Sequence, residues 1–311
     1  MKKKDLNIVF MGTPDFAVPT LERLNSLYNV ISVVTVPDKI KGRGNHLSHS
    51  EIKVKAQELG LRLLQPNNLN SERFINEITD LKPDLIVVVA FRIIPPSIYK
   101  IPKLGAFNIH ASLLPKYRGA APINWSIING DKISGLTTFL LKEKVDTGDI
   151  LLQEETRINS NMTFGDLYEK LKISAPAIAV DTIELLKSGR YNAISQDHTL
   201  ATNAPKLFPA DCEINWNNSA KQVKNLINGT SPTPGAWTIF NGKRIKILRA
   251  ELGTGRQLNI GAYEISKNNW KVGCGEDNID ILEIQLPGKK PQKFIDFLNG
   301  WRGENTGNFN I

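Results

Sequence analysis

Six consecutive apolar residues, Leu85 to Ala90, constrain this chain most. A strand with one wet face alternates apolar and polar side chains, whereas an unbroken β-branched run is a strand buried on both faces. Burying both faces needs a layer of cover on each side of a sheet, and helices supply it. Phe16, Leu21 and Leu24 recur at helical spacing, and longer helical patterns cover 50–59, 71–79 and 164–187. Thr163 and Asp166 read as the capping box that opens the last of these, with Asp in place of the usual Glu or Gln. Leu6–Met11, Ile31–Thr35, Ala106–Ile109, Gly135–Leu141 and Ile150–Gln153 read as the other strands. Residues 1–190 are therefore expected to form an α/β domain: a Rossmann-like, doubly wound, mostly parallel sheet. Its first strand ends in Gly12-Thr13-Pro14-Asp15. That is not the glycine fingerprint of dinucleotide sites, and the chain also has no phosphate-binding P-loop.

Residues 191–210 lack apolar periodicity and read as a linker. Residues 211–311 read as a smaller β-barrel of the oligonucleotide-binding (OB-like) type, with a simple sandwich as the alternative. Its clearest signal is Asn241-Gly242 between the alternating runs Ala236–Phe240 and Lys243–Arg249, a two-residue hairpin signature. Strands at 262–266, 269–273 and 279–285 and a helix at Ser219–Ile227 complete the expectation. Lys243, Arg244, Lys246 and Arg249 place a basic cluster on or beside the hairpin, and Lys289, Lys290 and Lys293 form a second. A third basic stretch carries Lys39, Lys41, Arg43, His46 and His49, interrupted by Gly42 and Gly44. With a formal net charge of +8, such clusters favour a polyanionic partner without identifying one. The two cysteines, Cys212 and Cys274, have no metal-like spacing, and no metal is expected. No apolar run reaches the length of a membrane span, and the basic start at Met1–Lys4 is not followed by a signal-peptide core. The expectation is a reduced, cytoplasmic protein without membrane contact, acting as a monomer.

Asn108 and His110 lie two apart at the end of a strand, so both face the same way. Left unpaired in a core they would cost about 1–3 kcal/mol each, so they belong at the open end of the sheet, where α/β folds bind ligands. Asp146 and Asp149 share a turn around Gly148 between two strands, and either could return a carboxylate to that end. An Asn, a His and a carboxylate suit acyl transfer to an amine. The carbonyl oxygen gains charge and needs hydrogen-bond donors, and the attacking nitrogen must lose a proton. No Ser or Cys nucleophile is required.

Phe107-Asn108-Ile109-His110-Ala111-Ser112-Leu113-Leu114-Pro115, followed by Tyr117-Arg118-Gly119 and by Asp146-Thr147-Gly148-Asp149, resembles the signature of the folate-dependent formyltransferases. The resemblance implies Asn108, His110 and Asp146 as catalytic residues, and Ser112, Leu113, Leu114 and Pro115 as folate contacts. It extends over nearly the whole chain toward the branch of the family that acts on methionyl initiator tRNA, through Gly12–Pro19, Pro234–Trp237 and Gly288–Pro291. It implies 10-formyltetrahydrofolate as donor. It also implies tRNA contacts at Arg43 in the loop 39–49, beside Lys39 and Lys41, and in the second domain, where Lys243 and Arg244 are the candidates. The alternative acceptor is an amino-sugar nucleotide or another small amine. One departure stands out: Arg92 occupies a position where the family has Gly, so it either changes how the folate ring is held or turns outward to a phosphate.

Overall fold

A computed structural model of the chain describes residues 4–41 and 46–309. The chain divides into two compact units. The first comprises Met1–Gly119, Gly135–Thr156 and Glu169–Asn203; the second comprises Ala120–Ser134, Arg157–Tyr168 and Ala204–Ile311.

The first unit is built on a seven-stranded sheet. Its strands lie in the order Ile150–Arg157, Ile133–Leu140, Ala106–His110, Leu85–Val89, Lys4–Gly12, Tyr28–Val34 and Leu63–Leu64. Lys4–Gly12 runs parallel to both its neighbours, and Leu85–Val89 runs parallel to Ala106–His110. The exception is Ile133–Leu140, which runs antiparallel to Ala106–His110. The apolar run that anchors the expectation is buried at every position from Leu85 to Val89 and lies near the middle of the sheet. One covering layer includes Phe74 and Ile78 of the helix Glu72–Asp80, packed with Val9, Met11, Ile86 and Val88. The helix Phe164–Ser188 opens with the expected box: Asp166 accepts from Thr163 N–H at 2.9 Å, and Thr163 Oγ1 accepts from Asp166 N–H at 3.2 Å. Removing such a cap costs about 1 kcal/mol.

The second unit is a curled antiparallel sheet, a half-barrel in which Lys243–Gly253 pairs with Ala236–Phe240 on one side and Asn278–Gln285 on the other. Asn241 and Gly242 both take positive φ, 48° and 70°, as a type I′ turn requires. The sheet has seven strands rather than the five expected, because Gln292–Lys293 and Thr306–Asn308 also pair into it. Both are very short and show no apolar alternation. Trp270 anchors the core, fully buried and stacked on Phe297 with ring centroids 5.1 Å apart. Val223 and Ile227 of the helix Ala220–Thr230 pack into the same cluster. Cys212 and Cys274 are free and wholly buried. Burial raises the thiol pKa of both, that of Cys274 to about 12. Among the described residues no helix is long and apolar enough to cross a membrane.

Candidate active site

The strand Ala106–His110 delivers two polar side chains to the carboxyl end of the sheet. Asn108 lies between Val88 and Phe139, and His110 lies opposite Thr137. Asn108 Oδ1 is buried and has no hydrogen-bond partner. The residue lines a cavity of about 90 Å³ whose other walls include Val88, Phe91, Arg92, Ile94, Phe139 and Asp146. Lys142, Glu143 and Lys144 also line it, so a residue with an unpaired buried acceptor borders a cavity of mixed polarity, as a ligand site does.

His110 is 6% exposed, and its Nε2 lies 2.8 Å from the carbonyl oxygen of Tyr117. A carbonyl can only accept, so Nε2 carries the hydrogen. The other ring nitrogen, Nδ1, then faces Asp146 Oδ2 at 3.8 Å, beyond hydrogen-bond range. In the neutral ring two acceptors, Nδ1 and the carboxylate oxygen, therefore lie side by side, and neither donates to the other.

Asp146 is held by its neighbours. Its φ is +54°, in the left-handed region, and its Oδ2 accepts from Gly119 N–H at 2.9 Å. The segment 117–119 thus meets both ionisable residues, through the Tyr117 carbonyl and the Gly119 amide. Gly148 permits the turn to lie flat on the neighbouring strand: a Cβ there would come within 1.6 Å of Leu140 O. Asp149, the rival carboxylate, forms an ion pair with Lys142 at 2.7 Å.

A side chain that sequence reasoning does not single out completes the cluster. Gln196 is 6% exposed, and its Nε2 donates to the carbonyls of Asp146 and Gly148 at 3.0 and 2.7 Å. Its Oε1 accepts from Arg118 Nε and Nη2 at 3.1 and 2.5 Å. Nothing in a stretch without apolar periodicity signals this, because the contacts are to two backbone oxygens and to an arginine far along the chain.

The remaining candidates are more dispersed. Ser112 is buried and its hydroxyl donates to Lys116 O at 2.7 Å; Leu114 packs against Phe139 and Ile150; Leu113 and Pro115 are half-buried. None of these four lines the Asn108 cavity. Arg92 does line it, and donates to the carbonyls of Pro66 and Asn67 at 2.7 and 3.1 Å, so the side chain ties down a neighbouring loop. Lys39–Lys41 and His46–Ser48 form a two-stranded hairpin. Arg43 lies outside the described residues, as does the side chain of Lys41, whereas Lys39 is exposed. At the foot of the hairpin Asp38 takes hydrogen bonds from Lys53, from Gln65 at 3.0 Å and from His49 at 3.0 Å. These donors, Lys53 foremost, hold its carboxyl well below the usual carboxylate range. In the second unit Lys243 and Arg244 are exposed. Arg244 lies over the Trp237 ring at 3.8 Å and borders a groove with Lys246 and Lys289. Among the described residues no group of three or more His, Cys, Asp or Glu could hold a metal.

Comparison with known proteins finds matches over nearly the whole chain. The family described as formyl transferase matches residues 6–183, and the formyl transferase C-terminal domain matches residues 206–302. A methionyl-tRNA formyltransferase of Porphyromonas gingivalis is 43% identical over 314 residues, 97% of each chain. One from Clostridium novyi is 43% identical over 299 residues, 95% of this chain and 97% of the relative. Among solved structures, an N-formyltransferase from Helicobacter canadensis, in complex with folinic acid and dTDP-3-aminofucose, shares the fold with a TM-score of 0.67. It is 20% identical and covers 89% of this chain and 98% of its own. HypX from Aquifex aeolicus in complex with tetrahydrofolic acid has a TM-score of 0.64 and is 16% identical, over 95% of this chain and 47% of its own.

Proposed function

The chain belongs to the formyl transferase family, and from that premise we propose that it moves the formyl group of 10-formyltetrahydrofolate onto the α-amino group of methionyl initiator tRNA. One observation carries the choice of acceptor: relatives about two-fifths identical over almost the full length are methionyl-tRNA formyltransferases. The sugar-acting neighbours are only 18–21% identical, and a fold does not choose a substrate.

The chemistry is a displacement at a formyl carbon. The amine attacks, a tetrahedral intermediate forms, and the donor nitrogen leaves. Asn108 presents its amide group to the cavity, where an N–H can hold the oxygen as it takes up charge. His110 Nδ1 and Asp146 Oδ2 lie 3.8 Å apart, and to this pair we assign removal of the proton that attack makes acidic. The leaving nitrogen takes a proton in return. Tyr117 and Gly119 hold the two groups at their spacing. We assign the first unit, expected over 1–190, to this transfer. To the second, expected over 211–311, and to Lys39, Lys41 and Arg43 we assign the tRNA backbone, with Lys243 and Arg244 as phosphate contacts.

The test is transfer of labelled formyl from 10-formyltetrahydrofolate to methionyl initiator tRNA, with methionyl elongator tRNA and an amino-sugar nucleotide as parallel acceptors. Label on the initiator tRNA alone is the expected result, and label on the sugar with none on tRNA overturns the choice of acceptor. Arg43→Ala is expected to raise KM for the tRNA roughly tenfold, a loss of about 1.4 kcal/mol. It should also flatten the salt dependence of binding by about one phosphate contact. Slow hydrolysis of the donor should be unchanged; an equal fall in both activities would assign Arg43 to the fold.

A further inference from the structure

We propose that Gln196 is a positioning residue for the transfer reaction, setting the Asp146 carboxylate against His110 from a segment that otherwise reads as a linker. The inference rests on the reading of Asp146 as a reacting group.

The geometry gives Gln196 one role. Its amide uses both donor hydrogens and its acceptor: the two hydrogens go to the carbonyls of Asp146 and Gly148, and the oxygen takes a fork from Arg118. A flipped amide would set its oxygen against two carbonyls and its N–H₂ against a guanidinium, so the orientation is fixed. Arg118 is fixed in turn: its Nη2 also meets His198 Nδ1 at 2.9 Å, and its backbone N–H donates to Thr202 O at 2.9 Å. The two carbonyls that Gln196 grips bracket the turn carrying Asp146, whose φ of +54° is costly for a residue with a side chain. From the opposite side Gly119 N–H grips the carboxylate itself. Arg118 and Gly119 are adjacent, so one short segment braces the turn twice, once directly and once through Gln196. Without the amide the carbonyls of Asp146 and Gly148 lose these two donors, and the carboxylate can swing away from Nδ1.

A misplacement of about 1 Å can cost on the order of 10²-fold in rate. Gln196→Ala is therefore expected to lower kcat about 10- to 100-fold, with KM for donor and tRNA near the native values. Gln196→Glu keeps the shape and the Arg118 contact but sets a carboxylate oxygen against the two carbonyls, and should fail like the alanine variant while remaining folded by circular dichroism. If the alanine variant does not fold, the glutamate variant carries the test. The deciding measurement is the pair: Asp146→Ala with Gln196→Ala should be no slower than Asp146→Ala alone, since the brace has nothing left to position. Native kcat in Gln196→Glu, or additive losses in the double variant, would overturn the inference. Native kcat in Asp146→Ala alone would instead remove the reading of the site on which it stands.

Discussion

Asn108→Ala is expected to lower kcat about 10²- to 10³-fold while KM for the tRNA stays close to its native value, the loss typical of one oxyanion donor. The residue sits in the middle of the sheet, and its Oδ1 makes no hydrogen bond inside the protein, so removing the amide breaks none of that atom's contacts. The protein should fold. The effect belongs to the transition state, in which the formyl oxygen carries most charge, and so it falls on kcat. Asn108→Asp gives the sharper version: the shape is nearly kept, but a carboxylate accepts where the amide donates, and it adds a charge facing the developing oxyanion. Single-turnover formyl transfer with both substrates saturating measures the chemical step. Native turnover in either variant would remove Asn108 from the mechanism.

Gly148→Ala should be as damaging by a different route. The added Cβ would lie 1.6 Å from Leu140 O and 2.8 Å from Leu140 C, both backbone atoms of a sheet strand. That strand cannot step aside cheaply, because Leu140 N–H donates to Asp149 O at 3.0 Å and Phe139 is registered against Asn108. The turn must lift, and with it Asp146. We expect at least about 10²-fold loss of kcat/KM, together with an overpacking cost of about 1–3 kcal/mol read from the urea midpoint. Gly300→Ala is the control: an added Cβ there meets nothing within 4 Å, so activity and midpoint should hold. Full activity in Gly148→Ala would mean that the Asp146 turn need not sit where it does.

Much of this was legible in the sequence wherever a residue's own chemistry sets its place. Leu85–Val89 could only be a strand covered on both sides. Asn241-Gly242 could only be a tight hairpin turn. Asn108 and His110 sit on one strand end because polar side chains in period two had no other home in an apolar sheet. Legibility ended where the answer lay in contacts distant along the chain. Asp146 and Asp149 share a turn and a residue type, and spacing could not separate them; in space one lies beside His110 and the other beside Lys142. Gln196 meets Arg118 and Asp146 across 78 and 50 residues, so no local pattern marks it. Arg92 was open between two expectations and follows neither in full: it borders the cavity, yet its Nη1 and Nη2 donate to the carbonyls of Asn67 and Pro66. The strand Thr306–Asn308 has neither period nor apolar content, and only its partner Ala262–Ile265 makes it a strand.

The two buried thiols have a practical consequence for spectroscopy. Cys212 and Cys274 are the chain's whole complement of cysteine, both are shut away from solvent, and burial keeps both in the unreactive protonated form. A maleimide dye added to the folded protein should therefore find nothing to modify. A Lys39→Cys substitution on the exposed edge of the basic hairpin would then carry the probe alone, with the native sequence otherwise intact. Fluorescence from that one position could follow the hairpin in real time as tRNA is mixed in.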